Sequence, residues 1–218
     1  MKNKTLFIVL GILAVYFGLT YFGGKIGNQI MYPLKLFVTF LHEFGHALGA
    51  IITGGSVENF DINQDASGLT ASRGGNRAII LMGGYIGSAI LGNLLFYIGA
   101  KKEKYSKAAI YVIAALMILV AGLWVRDLFA IGFLVVFAVG LLLIAKYTKI
   151  DQIILMFLGL ASILHIIQDF NVGPSSDLAA YADLFVLIPA TVWMYVWLIV
   201  VVLLFVWNIR IILRSDRI

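Results

Sequence analysis

The string Leu41-His42-Glu43-Phe44-Gly45-His46 holds the densest chemistry in the chain. On a helix, positions i and i+4 stand on one face, so His42 and His46 can turn imidazole nitrogens toward a single ion. Glu43 stands beside them. Two imidazoles at this spacing with an adjacent carboxylate form the His-Glu-x-x-His zinc signature, in which the imidazoles ligate and the carboxylate activates a water. The chain has only three His and three Glu, so composition alone does not generate the pattern. An open zinc site takes three protein ligands, and the third must come from elsewhere. Ile52 occupies the place where an extended form of the pattern carries another His. The remaining candidates are His165 and the acids in or beside apolar segments: Asp127, Asp151, Asp169, Asp177 and Asp183.

The elements that position these residues must cross a membrane. Of 218 residues, 62% are hydrophobic and 12% charged, and the mean hydropathy is +1.01. Soluble domains carry about 25% charge, so this chain cannot coat a water-soluble particle. Disorder, collagen, a disulfide scaffold and a coiled coil are excluded by the same figures. Cysteine is absent, which removes disulfides, thiolate metal sites and a cysteine nucleophile. The net charge of +5 reflects loops facing the cytoplasm and anionic lipid, as is usual in polytopic proteins. Nucleic-acid binding is not expected. In this solvent a buried, unpaired carboxylate costs roughly 2.5 kcal/mol or more. Three polar groups within five residues of one apolar segment therefore need a compensating partner, and a divalent cation supplies it.

A spanning helix needs roughly 20 apolar residues. Seven stretches qualify or nearly do: Thr5–Phe22, Pro33–Thr53, Ala78–Ala100, Ala108–Val125, Leu128–Ala145, Ile150–Gln168 and Leu184–Ile212. Leu128–Ala145 is short and follows Arg126-Asp127 almost directly, so it and its predecessor can form one tight hairpin. The expectation is an all-α polytopic membrane protein, a bundle of six or seven transmembrane helices in a single domain over residues 1–218. With seven spans, Lys25, Lys35, Lys101, Lys102, Lys104, Lys107, Lys146, Lys149, Arg210, Arg214 and Arg217 share the cytoplasmic side. Lys2, Lys4, Arg73, Arg77 and Arg126 then share the other, although Lys2 and Lys4 before the first span argue for the reverse.

Two polar connections interrupt the apolar run. In 54–77, alternating pieces at Val57–Ile62 and Gly68–Ser72 flank Asn63-Gln64-Asp65, which predicts a small β-hairpin after the zinc helix. The other, 169–183, holds Gly173-Pro174 and three Asp residues, with Ser175, Ser176 and Asp177 all suited to starting a helix. Gly83, Gly84, Gly87 and Gly92 read as close-packing positions, and Asn93 as a helix–helix hydrogen bond. Trp193, Trp197 and Trp207 read as interface anchors and packing groups.

With these residues in view, the sequence resembles the intramembrane zinc metalloproteases of the site-2 protease type. The resemblance rests on His42-Glu43-Phe44-Gly45-His46 within a spanning segment and on Asn171-Val172-Gly173-Pro174-Ser175-Ser176-Asp177, similar to a shortened Asn…Pro…Asp-Gly element. Gly83-Gly84-Tyr85-Ile86-Gly87-Ser88 through Asn93 adds a small-residue segment of the kind that follows the zinc helix. The likeness is closest to a compact branch of small bacterial membrane proteins in which a Ser-Asp run, here Ser176-Asp177, precedes a Pro-x-x-x-Trp segment, here Pro189 to Trp193. Asp177 is followed by Leu178 where the family has Gly, so Asp169, His165 and Asp183 stay open beside Asp177 as the third ligand.

The resemblance implies hydrolysis of a peptide bond within or near the bilayer. His42, His46 and Asp177 would hold Zn2+, and Glu43 would act as general base. The implied partners are a membrane-protein or membrane-anchored peptide substrate and the lipid bilayer, and the implied location is the bacterial cell membrane. Hydrolysis requires an unwound substrate, which an exposed strand edge within 54–77 could take up by pairing. The competing expectation is a non-hydrolytic zinc-binding membrane protein, either a pseudoprotease scaffold or a metal transporter.

Overall fold

A computed structural model describes residues 2–185 and 187–214; Arg217 lies outside them. The chain opens with α1 (Lys2–Phe17), which runs on as a π-helical turn, Gly18–Phe22. Gly24, at φ +54°, takes a left-handed conformation that suits glycine and turns the chain into α2 (Gly24–Ile52). A hairpin follows, β1 (Ser56–Ile62) and β2 (Gly68–Arg73), antiparallel from Ser56 opposite Arg73 to Ile62 opposite Gly68 with a bulge between Val57 and Asn59.

The expected span at 78–100 is one rod in three pieces: α3 (Arg77–Met82), a π-helical turn at Gly83–Gly87, and α4 (Ser88–Lys101). Then come α5 (Ser106–Leu123), α6 (Leu128–Tyr147) and α7 (Asp151–Gln168). α5 and α6 are separate helices joined by a very short turn. Asp127 ends it by accepting from the Ala130 N–H at 3.0 Å, an N-cap that starts α6. Short α8 (Asp177–Ala182) leads to α9 (Ala190–Leu213). Its start falls six residues later than the apolar run suggests, because Pro189 has no N–H to donate and fixes the entry.

Among the described residues, six helices are long and apolar enough to cross a membrane: Lys4–Phe22, Arg77–Lys101, Glu103–Leu123, Leu128–Tyr147, Asp151–Gln168 and Ala190–Leu213. Together with the family described below, they make this a multi-pass membrane protein. The helix bearing His42 and His46 is not among the six. It is the longest helix, at 29 residues, but Lys35, His42, Glu43 and His46 dilute its apolar run.

The contacts also show why α2 adds no crossing. Lys4 Nζ lies 4.0 Å from Glu103 Oε1, so α1 begins at the α4–α5 turn. Thr20, beyond the far end of α1, lines a recess with Asn28, Gln168 and Asp169, at the far end of α7. The last turn of α2 meets the start of α3 where the Asn76 N–H donates to Thr53 Oγ1 at 2.9 Å. α2 thus leaves from and returns to one end of the bundle. The seven-span arrangement, which set Lys4 opposite Lys101, is corrected accordingly. Lys4 and the 101–107 lysines share an end.

Glycines set the closest approaches. α4 and α7 touch at Gly92 and Gly159, where a methyl on either would meet backbone or side chain of the partner helix. In lipid, where burial between helices gains little, such backbone proximity is what packing can use. Asn93 makes the expected interhelical bond: Asn208 Nδ2 of α9 donates to Asn93 Oδ1 at 2.9 Å and to its carbonyl at 2.8 Å. Trp197 is a core residue, 1% exposed, against Tyr181 and Tyr85. Trp207 is exposed, as an anchor would be.

Candidate metal centre

One face of α2 carries Lys35, Thr39, His42 and His46, successive positions of the same helical stripe. Above His42 and His46 runs the π-helical turn at Gly83–Gly87. Gly45 and Gly83 meet backbone to backbone, so a methyl on either would overlap the other's carbonyl. At Gly84 the approach is to the imidazoles themselves. A Cβ there would stand 2.5 Å from His42 Nε2 and 2.6 Å from His46 Nε2. Only hydrogen fits. π-turns recur at functional sites because the wide turn displaces backbone locally, and here it clears a space over two imidazoles.

His46 Nδ1–H donates to the Ile80 carbonyl at 2.7 Å. That bond fixes the ring and leaves Nε2 as the nitrogen presented to the centre. The Tyr85 ring packs edge-on against His42, with centroids 4.8 Å apart. Its hydroxyl donates to the Asp169 carbonyl at 3.3 Å and accepts from the Asn171 N–H at 3.3 Å. Tyr85 therefore ties the π-turn to the loop that delivers the third member of the cluster.

That member is Asp177. Its Oδ2 lies 2.9 Å from His42 Nε2 and 3.2 Å from His46 Nε2. The helix-start role suggested for Asp177 falls to its neighbour: Ser176 Oγ accepts from the Ala179 N–H at 3.2 Å. Capped by Ser176, the first turn of α8 leaves Asp177 facing the histidines. Burial disfavours its carboxylate, but hydrogen bonds from His42 and His46 outweigh that and hold the carboxyl below its ordinary range.

The three residues offer ligand atoms that all lie within 4.8 Å of one another. Two imidazole nitrogens and one carboxylate oxygen are a donor set that suits zinc and its first-row neighbours. Asp169 lines the same cavity, but its carbonyl is engaged by Tyr85 and its carboxylate is outside the cluster. His165 also lines the cavity wall. Asp183 ends α8, and Asp127 caps α6.

Glu43 is 5% exposed, and its Oε2 is buried without a partner. Gly68, at the start of β2, presses on the carboxyl group; a Cβ there would come within 2.5 Å of Oε1. Thr70 Oγ1 of β2 donates to the Glu43 carbonyl at 3.1 Å, and Thr39 Oγ1 donates to the Ala66 carbonyl at 2.6 Å. These bonds lay the hairpin along α2. The turn is held by Asp65, whose Oδ1 accepts from the Ser67 hydroxyl and N–H, bonds that keep this exposed carboxyl below its usual value.

Glu43, His42 and Asp177 open into a cavity of about 490 Å³ bounded by the hairpin turn, Lys35, Tyr85 and the 169–177 loop. Its size is that of a site for a small ligand or a short peptide stretch. Hydrolytic chemistry in a bilayer needs such a polar recess. The residues fit a bound divalent metal: three convergent donors, a cleared space at Gly84, and an orphaned carboxylate oxygen beside them.

Several of these contacts had no signature in the sequence. The Ile80 carbonyl stands in an apolar run with nothing local to mark it, and Tyr85 was marked only as part of a small-residue segment. Gly84 and Gly68 belonged to segments read for close packing and for a strand of the hairpin.

Fold and site together define a membrane-embedded helical protein with a His-His-Asp cluster suited to holding a metal ion. A family model described as Peptidase M50B-like matches residues 5–208, and the chain belongs to that family, of the site-2 protease type. No curated protein and no solved structure matches the chain.

Proposed function

We propose that the protein is an intramembrane zinc endopeptidase that cleaves membrane-protein or membrane-anchored substrates, in a bacterial cell membrane, with His42, His46 and Asp177 as ligands. The observation that carries this reading is Glu43, buried beside the three convergent donors with an oxygen left unpaired. A zinc ion held there supplies a Lewis acid for the scissile carbonyl and lowers the pKa of water from 15.7 toward ~7.

The chain's own groups do the rest. Glu43 takes the proton of the attacking water as oxygen bonds to the carbonyl carbon, and delivers it to the amine nitrogen as the C–N bond breaks. The Ile80 carbonyl orients the His46 imidazole, and the Tyr85 ring packs edge-on against that of His42. The cavity admits water while the surrounding helices exclude lipid. β2 pairs with β1 on one side, and its start lines the cavity. Pairing of an extended substrate along the other edge would present its backbone for attack.

The test combines metal content by mass spectrometry with cleavage of detergent-solubilised membrane-segment peptides. Wild type is expected to carry about one zinc per chain, as one three-ligand site implies. His46→Ala should lose it. Glu43→Gln should keep it and lose cleavage by about 10²–10⁴-fold, the usual contribution of a general base. A folded wild type without zinc overturns the reading, and equal processing by wild type and Glu43→Gln would leave a scaffold. A metal transporter would instead lose zinc affinity in Glu43→Gln.

A further inference from the structure

Away from the metal centre, α4 and α9 lie side by side and point the same way. Asn208 bonds Asn93, and Lys101 Nζ donates to the Arg214 carbonyl at 3.0 Å where both helices end. Between them an apolar groove of about 360 Å³ opens on the outside of the bundle. It shares no residue with the cavity over His42 and Asp177. Ile90 and Leu94 of α4, both half exposed, and Leu204 of α9 wall it.

Its floor is polar. Asn93 and Asn208 are 9% and 5% exposed and both line the groove. The Asn208 amide donates twice to Asn93, but its Oδ1 accepts nothing from the described residues. On the rim stands Trp207, 64% exposed, whose indole N–H finds no acceptor among the described residues. Both groups belong to the spanning stretch Ala190–Leu213, with Trp207 about 9 Å from its end. In hydrocarbon no water is at hand, so an orphan acceptor and an orphan donor each cost free energy that a partner recovers.

The patch complements itself. A second copy in the same membrane is related to the first by a two-fold axis along the membrane normal, which sets identical residues at identical depth. Trp207 and Asn208 differ in depth by about 1.5 Å, so the donor of one copy stands level with the acceptor of the other, twice over. Ile199, Leu203 and Trp207 also form an exposed ridge at i, i+4 spacing beside the groove, the relief by which helices interlock. An acyl chain fills apolar walls but brings no donor for Asn208.

We propose that the α4–α9 groove is a contact between two copies of this chain. The α9 ridge of each copy seats in the groove of the other, and Trp207 Nε1–H donates to Oδ1 of Asn208 in the second copy. Neither metal centre takes part in the contact.

The absence of cysteine lets one thiol carry a dye. Full-length Thr148→Cys, changed on an exposed connection, is labelled with a fluorescent donor or acceptor. The two preparations are mixed in phosphatidylcholine vesicles over a range of protein-to-lipid ratios. Energy transfer should persist at dilutions where random proximity gives none. Trp207→Phe keeps a ring, removes the donor and breaks no bond within the chain; it should weaken association about 10-fold or more, since two symmetric bonds are lost. Leu94→Trp fills the groove and should abolish association. Val136→Trp, an equally bulky change on the exposed face of α6, should leave it unaltered. A wild type that is monomeric at every ratio overturns the proposal and leaves the groove to a lipid chain or another protein's helix. Association unchanged in Trp207→Phe or in Leu94→Trp overturns it too, as does a loss in Val136→Trp equal to that in Leu94→Trp.

Discussion

α2 and α6 are both long helices inside the same bundle, and they are built on opposite rules. α6 is apolar throughout, and its buried positions, Ala130, Leu134, Ala138, Leu141 and Ala145, form one narrow stripe. Its remaining faces meet lipid, with Val136 72% exposed. Nothing lies within 4 Å of where a methyl on Gly132 or Gly140 would sit. α2 buries charge instead, and its Gly27, Gly45 and Gly49 touch backbone. α6 is held by being apolar, so almost any apolar residue would serve. α2 is held by contacts specific enough to leave room for hydrogen alone. The difference separates residues that place a helix in a membrane from residues that make a centre.

The same substitution on each helix tests this contrast most strongly. Gly45→Ala forces Gly83 away, and Gly84→Ala pushes a methyl onto both imidazoles. Each should strip most of the bound zinc on purification, with about 1–3 kcal/mol of overpacking at Gly45. Gly132→Ala should leave metal content unchanged and stabilise α6 by up to about 1 kcal/mol through helix propensity. Zinc loss in Gly132→Ala, or none in Gly84→Ala, would erase the distinction.

A smaller effect sharpens the assignment within the centre. Asp177→Asn keeps the shape and removes the charge, so zinc affinity measured by competition with a chelator should fall about 10–100-fold or more. Asp169→Asn should change it little, because Asp169 contributes its backbone carbonyl to Tyr85. The opposite ranking would move the third ligand. Smallest of all is Asn208→Leu on α9. It removes the two hydrogen bonds from Asn208 to Asn93 at a cost of about 0.6–2 kcal/mol, read as a lower unfolding midpoint in detergent, with zinc stoichiometry unaltered.

What the sequence disclosed follows the same division. The bundle was legible because its long apolar runs have no other solvent, and the hairpin because period-two alternation flanks turn residues. His42, Glu43 and His46 were legible because their spacing is local to one helix. Asp177 lies far along the chain from His42, and neighbouring acids compete for the role, so only tertiary packing, of α8 against α3 and α9 and of the 169–171 loop on Tyr85, brings it in. The failure of α2 to add a crossing was hidden for a similar reason. Its apolar content is nearly that of a span, and where α1 begins is set by contacts distant in sequence, the pairing of Lys4 with Glu103 among them. Tyr85 was illegible because an aromatic residue in an apolar segment announces nothing about its neighbours.

The π-helical turn at Gly83–Gly87 has a consequence for how this chain can change over time. A π-turn holds one residue more than an α-helix would in the same length, and that surplus is what widens the turn over the imidazoles. Deleting a single codon there would let it collapse into an ordinary α-turn: α4 would keep its phase against α7 and α9, but Gly84 and Tyr85 would leave their places over His42 and His46. The Gly83–Gly87 stretch is thus constrained in number as tightly as in kind. Drift here can proceed by exchange of one side chain for another, but not by insertion or loss.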